Sequence, residues 1–199
     1  MPRRLETQTA GLIFHVVNRA VQQLCLFEAP EDYDACLRTL VQAQRRIPVN
    51  VLAYCLMPNH FHLVLQPTQD GHLSRFMHWF TLTHSRRWRI HRASTGRGAV
   101  YQGRYKALAT EDDRHFLAVC RYVERNALRA RLVPRAEAWQ WSSAGQHAGN
   151  HDYVPISDWP IPRPPEWLAL LNSLDSTAEQ EVAERARARQ KKAGRPPLR

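Results

Sequence analysis

The sequence predicts an α+β protein built on a four-stranded antiparallel sheet. Short apolar segments with strand character alternate with longer segments whose apolar residues recur every three to four positions. Two of the strand segments are separated only by Pro58-Asn59, a connection short enough to make them an antiparallel hairpin. Hydrophobic residues make up 44% of the 199 residues, which is enough for a buried core in one domain with extensions.

The expected elements follow one another in the order β-α-β-β-α-β-α. The expected strands cover residues 11–20, 50–57, 60–67 and 99–110, the last with a bend at Gly103. The expected helices cover residues 30–47, 70–92 and 111–132. This order is typical of a ferredoxin-like split βαβ fold, whose four-stranded antiparallel sheet carries helices on one face, with the third helix as an addition.

Helical spacing indicates which side chains of each helix face the core. In the first helix these are Tyr33, Cys36, Leu37, Leu40 and Val41. In the second they are Leu73, Phe76, Met77, Phe80 and Leu82, and in the third they are Phe116, Val119, Cys120, Val123 and Ala127.

Composition divides the chain into three parts. Residues 1–145 carry the folded unit, and residues 146–175 form an extension with proline and tryptophan in its loops. Residues 176–199 are poor in large apolar side chains and hold seven Lys and Arg against three Glu, a net charge of +4. This composition favours a fraying helix followed by a flexible basic tail.

The charge of the whole chain bears on its partner. A net charge of +10 and a pI near 10.1 favour a polyanion, nucleic acid before membrane, over a role in solubility alone. No apolar run reaches the roughly 18 residues that a membrane span needs. The four cysteines form no C-x-x-C pair, so a zinc site or a disulfide framework is not expected, and buried thiols in a reducing cytosol fit better.

Two histidines stand in the hairpin strand that follows Asn59. Side chains alternate along a strand, so His60 and His62 share one face while Phe61, Leu63 and Leu65 point to the opposite one. Their Cα atoms are expected about 6–7 Å apart, close enough for two imidazoles to converge on one metal ion. The spacing fits a pair of half-exposed surface histidines equally well.

Two imidazoles do not complete a metal site. Tetrahedral zinc usually takes three or four protein ligands, and no cysteine or further histidine lies near this pair in the sequence. An octahedral Mg²⁺ or Mn²⁺, completed by an amide oxygen, waters and a phosphate oxygen, fits a nucleic-acid substrate better.

The third helix carries a tyrosine and an amide on one side. Tyr122 and Asn126 are four residues apart, at the border of the apolar stripe, whereas Arg121, Arg125 and Arg129 are expected on the more exposed arc. Such a tyrosine either packs with its hydroxyl in water or acts as a nucleophile activated by a cation. In the second case Asn126 could donate an oxygen to the same metal.

Five blocks of the sequence resemble one protein family, and they stand in the family's order. They are "FHVVNRA", "YCLMPNHFHLVLQP", "VYQGRYKA", "RYVERNALRARLV" and "WQWSS", within residues 11–143. The chain resembles the HUH-type one-tyrosine transposases of single-stranded DNA, and more closely those associated with repetitive extragenic palindromes (REPs). The two-histidine motif alone is weak, but five blocks in order are specific.

The resemblance implies a ferredoxin-like fold and roles for four residues. His60, His62 and Asn126 match the residues that bind Mg²⁺ or Mn²⁺, and Tyr122 matches the nucleophile that forms a 5′-phosphotyrosine. It also implies cleavage and rejoining of single-stranded DNA that carries a hairpin, in the bacterial cytoplasm near the nucleoid. In relatives a proline often follows the asparagine, but here Ala127 does. The C-terminal region looks shorter than in many relatives.

Basic and aromatic residues supply candidate DNA contacts. The principal candidates are Asn18, Arg19, Arg86, Arg87, Arg104, Tyr105, Arg121 and Arg125. Further candidates are Arg89, Arg92 and Arg97 for phosphates and Tyr101, Trp139 and Trp141 for base stacking, each of which could equally be surface charge or packing. We interpret His15 as a structural residue. Tyr101 and Tyr105 are rival nucleophiles without an amide at i+4.

Two functions remain open from the sequence. The first is a metal-dependent single-strand DNA endonuclease and strand transferase, and the second is a non-catalytic hairpin-binding protein of transposase origin. The presence of both histidines, the tyrosine and the asparagine favours the enzyme. An RNA-binding domain of the same fold class ranks last because its aromatic block is missing. A monomer and a homodimer are both compatible with the sequence.

Overall fold

The computed structural model describes residues 9–93, 98–174 and 177–193 and contains a four-stranded antiparallel sheet. The strands are β1 (Phe14–Arg19), β2 (Val49–Met57), β3 (His60–Pro67) and β4 (Lys106–Ala109). Their order in the sheet is β2-β3-β1-β4, with β1 paired to both β3 and β4. This is the α+β fold with the ferredoxin-like strand order that the sequence predicts.

Seven α-helices are described, together with two short 3-10 helices. Val21–Gln23 lies between β1 and the first α-helix, and Ala136–Ala138 lies between the fourth and the fifth. The α-helices are α1 (Pro30–Arg46), α2 (His72–His91), α3 (Asp113–Glu124), α4 (Asn126–Arg129), α5 (Ser143–His147), α6 (Trp167–Asn172) and α7 (Thr177–Ala193). Pro30 starts α1 with its fixed φ, and Asp32 accepts hydrogen bonds from the backbone N–H groups of Glu28 and Ala29.

The two faces of the sheet belong to different cores. Phe61, Leu63 and Leu65 of β3 pack with α1 and α2, as the alternation of side chains predicts. The histidine face of β3 is the side on which Val64 packs with α3, α6 and α7. That face is therefore covered by helices, with α3 among them.

Two helices differ from their predicted form. The helix expected over residues 111–132 ends at Glu124, and α4 continues the chain after Arg125, whose ψ of 0° interrupts the regular helix. Leu82 of α2 is 59% exposed rather than inward, because the buried side of α2 continues from Phe80 to His84 instead.

The fourth strand is also shorter than predicted. Regular pairing begins only at Lys106, and Tyr101 makes an isolated bridge to Ala20. Between them Gly103 has a φ of +142°, which side-chain-bearing residues rarely adopt. The predicted bend at this glycine thus ends the extended segment instead of curving one long strand.

Residues 139–159 pack on the sheet through hydrogen bonds to its backbone. The indole N–H groups of Trp139 and Trp159 donate to the carbonyl oxygens of Leu56 and Leu52, each at 2.8 Å. The amide of Leu56 donates in turn to the carbonyl of Trp141. This segment therefore covers the outer edge of β2, a strand edge that would otherwise expose unpaired backbone groups.

The helix predicted at the start of residues 176–199 is α7, and its first part is packed rather than fraying. Glu179, Val182 and Ala183 are buried against α3, so this helix is part of the second core. Residues 194–199 lie outside the described residues. No helix in the described part of the chain is long and apolar enough to cross a membrane. Cys36, Cys55 and Cys120 are buried free thiols, and Cys25 is a partly exposed one.

Candidate active site

His60 and His62 lie on one face of β3, as the period of a strand requires. The turn at Pro58-Asn59 places His60 at the first position of the strand, and its ring centroid is 5.0 Å from that of His62. His60 is partly exposed, whereas His62 is only 1% exposed. His60 therefore lies at the rim of the sheet, and His62 lies beneath the helices that cover this face.

Hydrogen bonds hold one nitrogen of each ring. Nδ1 of His60 lies 2.7 Å from Oδ1 of Asn59, an oxygen that can only accept, so His60 donates there and keeps the lone pair of Nε2. Nδ1 of His62 lies 2.9 Å from Nε2 of His15. Nε2 of His62 is buried and has no hydrogen-bond partner in the described part of the chain.

Burial keeps these imidazoles neutral. Desolvation, with a further contribution from the Arg19 charge, lowers the pKa of His60 to about 3. The pKa of His62 falls well below its ordinary value, first through burial and then through the neighbouring His60 and His15. Burial also lowers the pKa of His15 to about 4. Neutral rings with a free nitrogen are what a metal ion needs from histidine.

Tyr122 reaches the histidines from α3. Asp112 begins this helix by accepting a hydrogen bond from the amide of His115, and the apolar stripe then seats the helix on the sheet. The ring of Tyr122 meets His62 at 5.5 Å and His15 at 5.7 Å between centroids, edge-on in both cases. The side chain is 8% exposed, so the packing of α3 fixes its position beside the pair.

Asn126 is the first residue of α4, one helical turn beyond Tyr122. Its Nδ2 donates to the backbone carbonyl of Tyr122 at 3.4 Å, which orients the amide and leaves Oδ1 as a ligand oxygen. No group of three or more His, Cys, Asp or Glu side chains within the described ranges is arranged to hold a metal. Two imidazoles and an amide oxygen, completed by water and phosphate oxygens, are a set of ligands that would fit Mg²⁺ or Mn²⁺.

Two arginines bring positive charge to this group. Arg19 stands opposite His60 in the pairing of β1 with β3, and its buried Nε has no hydrogen-bond partner within the described residues. The guanidinium of Arg129 lies 4.9 Å from the centroid of the Tyr122 ring, in a cation–π contact. An anionic group placed at Tyr122 would thus meet cations from β1 and α4.

Asn18 does not share this position. It alternates with Arg19 along β1, is 6% exposed and accepts the amide hydrogen of Arg19 at 3.0 Å. Its burial gives it a structural role in place of the predicted DNA contact.

Three of the predicted DNA contacts are exposed, and one more is half-buried. Arg86 and Arg104 are exposed, and Arg87 is exposed while donating to the hydroxyl of Thr39 at 3.0 Å. Tyr105 is half-buried against the first core. These positions are compatible with contacts to a phosphate backbone.

Arg121 and Arg125 are not on an exposed arc, and this prediction is wrong. They are 8% and 5% exposed, and each places Nη1 2.7 Å from Oε2 of the fully buried Glu179 of α7. Both also donate to the carbonyl oxygen of Ser173. A helix from the end of the chain covers this side of α3, so the two arginines stabilise the fold instead of facing DNA.

The other aromatic candidates pack inside the protein. Tyr101 is 7% exposed, with its hydroxyl 2.7 Å from Nδ1 of His84, and Trp141 stacks on Tyr33 at 4.0 Å between centroids. Trp139 contacts the rings of Tyr33 and Trp141 edge-on. Trp139 and Trp141 pack their segment against α1, and none of the three rings offers a stacking surface to bases.

Two of the remaining arginine candidates already have protein partners. Arg92 pairs with Glu28 and Asp32, and Arg89 donates to the carbonyl of Gly98. Arg97 lies outside the described residues.

The sequence motifs and the fold together agree with a known family. The family model described as "Transposase IS200 like" matches residues 8–126, more than half of the chain and ending at Asn126. The chain belongs to this transposase family. No curated protein matches the chain significantly.

One solved structure gives the same fold. The structure of a REP-associated tyrosine transposase bound to a REP hairpin matches with a TM-score of 0.61 and 13% identity, covering 82% of this chain and 98% of that one. The crystal structure of a transposase candidate from Deinococcus radiodurans R1 matches with a TM-score of 0.44 and 17% identity, covering 62% and 95%. The second likeness is too weak to bear on the fold.

Proposed function

We propose that the protein is a metal-dependent endonuclease and strand transferase for single-stranded DNA with a palindromic hairpin, working through a 5′-phosphotyrosine on Tyr122. The contact between Tyr122 and His62, at 5.5 Å between ring centroids, carries the proposal. A tyrosine beside two neutral imidazoles and an oriented amide is the arrangement that such chemistry requires, and membership of the transposase family supports it.

The chain's own residues account for most of the reaction. The phenolic oxygen of Tyr122 attacks phosphorus and gives up its proton to solvent, and the 3′ oxygen of the upstream strand leaves and takes up a proton. The positive charges of Arg19 and Arg129 favour a phosphate at this position. A 3′-hydroxyl attacking the same phosphorus reverses the step and rejoins DNA without ATP.

His60, His62 and Asn126 would hold the cation. When bound, Mg²⁺ or Mn²⁺ supplies a Lewis acid for the scissile phosphate. The half-exposed position of His60 offers an approach to the site from the rim of the sheet.

The hairpin substrate is proposed from two observations. The REP-associated transposase with the same fold is bound to a REP hairpin. The chain also has a net charge of +10, with Arg86, Arg87 and Arg104 exposed to make phosphate contacts. We place this activity in the cytoplasm, where chromosomal DNA becomes single-stranded during replication.

A denaturing gel tests the proposal. The purified protein is mixed with Mn²⁺ and a single strand that is labelled at its 3′ end and carries a palindrome and its flanking bases, and the label is followed into a protein band. Wild type should form the covalent adduct and Tyr122→Phe should not. Tyr153→Phe is the matched control, because Tyr153 is 44% exposed and lies in the extension.

Two outcomes contradict the proposal. Hairpin binding without an adduct in wild type would make the protein a binder of DNA and not an enzyme. An adduct that persists in Tyr122→Phe would move the nucleophile elsewhere.

A further inference from the structure

The contact between His15 and His62 has a chemical consequence for the site. His15 is the second residue of β1 and is 1% exposed. Antiparallel pairing sets Val17 opposite His62 and His15 opposite Val64, so His15 is the diagonal neighbour of His62 on the same face. The rings lie 5.2 Å apart at an angle of 23°, with Nε2 of His15 2.9 Å from Nδ1 of His62.

One hydrogen between these two nitrogens decides what His62 can bind. If Nε2 of His15 donates, Nδ1 of His62 accepts, and the neutral His62 ring carries its own hydrogen on Nε2. If Nδ1 of His62 donates, the lone pair of its Nε2 remains free. Only the second arrangement leaves His62 able to bind a cation through Nε2.

The surroundings of His62 favour the second arrangement. Its Nε2 is buried and has no acceptor in the described part of the chain, so an N–H there would be an unsatisfied donor. A lone pair at that position finds its partner when a cation binds. Histidines that bind metals almost always donate their other N–H to a neighbouring acceptor, which fixes the ring and its tautomer.

We infer that His15 is a positioning residue that accepts the Nδ1–H of His62 and so directs the Nε2 lone pair of His62 into the site. This inference rests on the proposed function, because it concerns the same metal site. It gives β1 a role in the site, because the strand supplies the acceptor that fixes the tautomer of His62, while the proposed metal ligands themselves lie on β3 and α4. The acceptor is a neutral imidazole, where carboxylates or carbonyls more often serve.

Two variants separate this role from simple packing. In His15→Gln the side-chain oxygen stands as many bonds from Cα as Nε2 does in histidine, so it can accept the same hydrogen. In His15→Met the side chain has a similar length but no strong acceptor. Loss of packing affects the two variants alike, whereas loss of the acceptor affects only His15→Met.

The first measurement is the affinity for Mn²⁺ alone, followed by the electron paramagnetic resonance signal of the free ion. His15→Met should bind about 10- to 100-fold more weakly than wild type, the range found when such an outer hydrogen bond is removed, and His15→Gln should recover most of the loss. Equal affinities in the three proteins would overturn the inference. So would an equal loss in both variants, which indicates packing alone.

The second measurement decides the inference even if wild type binds no Mn²⁺, a result that would count against the proposed function alone. In metal-free protein labelled with ¹⁵N-histidine, the nitrogen shifts report which ring nitrogen carries the hydrogen. Wild type and His15→Gln should show His62 protonated at Nδ1. Protonation of His62 at Nε2 in wild type would overturn the inference without any variant.

Discussion

Tyr122 of α3 and His62 of β3 lie with their rings at 87° and their centroids 5.5 Å apart, although they are distant in the chain. The contact exists because α3 covers the histidine face of the sheet with its apolar stripe. It joins the strand that carries the two imidazoles to the helix that carries the phenol, and the amide of Asn126 follows at the start of α4. On its other side, α3 is covered by α7.

Loss of a histidine from β3 should separate cleavage from binding. In His60→Ala the cation loses one imidazole, so cleavage of the labelled strand should fall below detection while hairpin affinity stays within about twofold. Filter binding in EDTA and a cleavage gel in Mn²⁺ measure the two quantities. His78→Ala is the control because His78 is exposed on α2, and it should keep both. An equal loss of binding and cleavage in His60→Ala would assign His60 to the fold.

Removing the buried carboxylate of α7 should destabilise the protein. Glu179 is fully buried between Arg121 and Arg125, so Glu179→Gln removes the negative charge of a buried carboxylate that two guanidinium groups share. Breaking a buried pair in this way costs about 3–5 kcal/mol. Urea unfolding should show this loss.

Glu111→Gln is the matched control for that measurement. Glu111 pairs with Arg185, but its side chain is 66% exposed, and exposed pairs contribute about 0–1 kcal/mol. Similar unfolding midpoints for the two variants would contradict the structural role of Glu179.

A buried histidine outside the site should make stability depend on pH. His84 is 3% exposed, with Nδ1 2.7 Å from the hydroxyl of Tyr101, and burial lowers its pKa from 6.5 to about 4. Above pH 6.5 neither state is protonated. As the pH falls from 6.5 towards 4 the unfolded chain takes up a proton that the folded chain does not, so the free energy of unfolding decreases.

This loss amounts to about 2 kcal/mol for one such histidine between pH 7 and pH 5. In His84→Gln the decrease over the same range should be smaller by about that amount. Urea titrations at pH 7 and pH 5 measure it. Identical decreases in wild type and variant would show that His84 is protonated equally in both states.

The exposed arginines should account for part of the salt dependence of DNA binding. Arg86→Ala should weaken hairpin binding, and the slope of log K against log salt should become shallower by about 0.7–0.9 if one phosphate contact is lost. Arg135→Ala serves as the control because Arg135 is exposed but already pairs with Glu137. An unchanged affinity and slope in Arg86→Ala would remove Arg86 from the DNA surface.

The sequence predicted the parts of the site that depend on local periodicity. Alternation along β3 placed both histidines on one face, and helical spacing placed Tyr122 and Asn126 on one side of a helix. The exposure of Arg121 and Arg125 was predicted wrongly for a physical reason. Periodicity shows which residues share a side of a helix, but it does not show that Glu179, far along the chain, will cover that side.

His15 shows the same limit for strands. The sequence showed a histidine in an apolar strand, and alternation along that strand showed on which face its side chain lies. Its contact with His62 depends on the register between β1 and β3, which alternation leaves open because several registers keep the same residues facing the core. A lone histidine in a strand beside the His60–His62 pair is the signal that could have suggested it.

Identifying the residue to which the DNA becomes covalently attached is the most direct test of the proposed chemistry. The wild-type adduct formed with Mn²⁺ is digested with protease and nuclease, and mass spectrometry locates the peptide that retains a 5′-phosphorylated nucleotide. We expect the modification on Tyr122, in the peptide between Arg121 and Arg125. A modification on Tyr101 or Tyr105, or no modified peptide at all, would contradict the account.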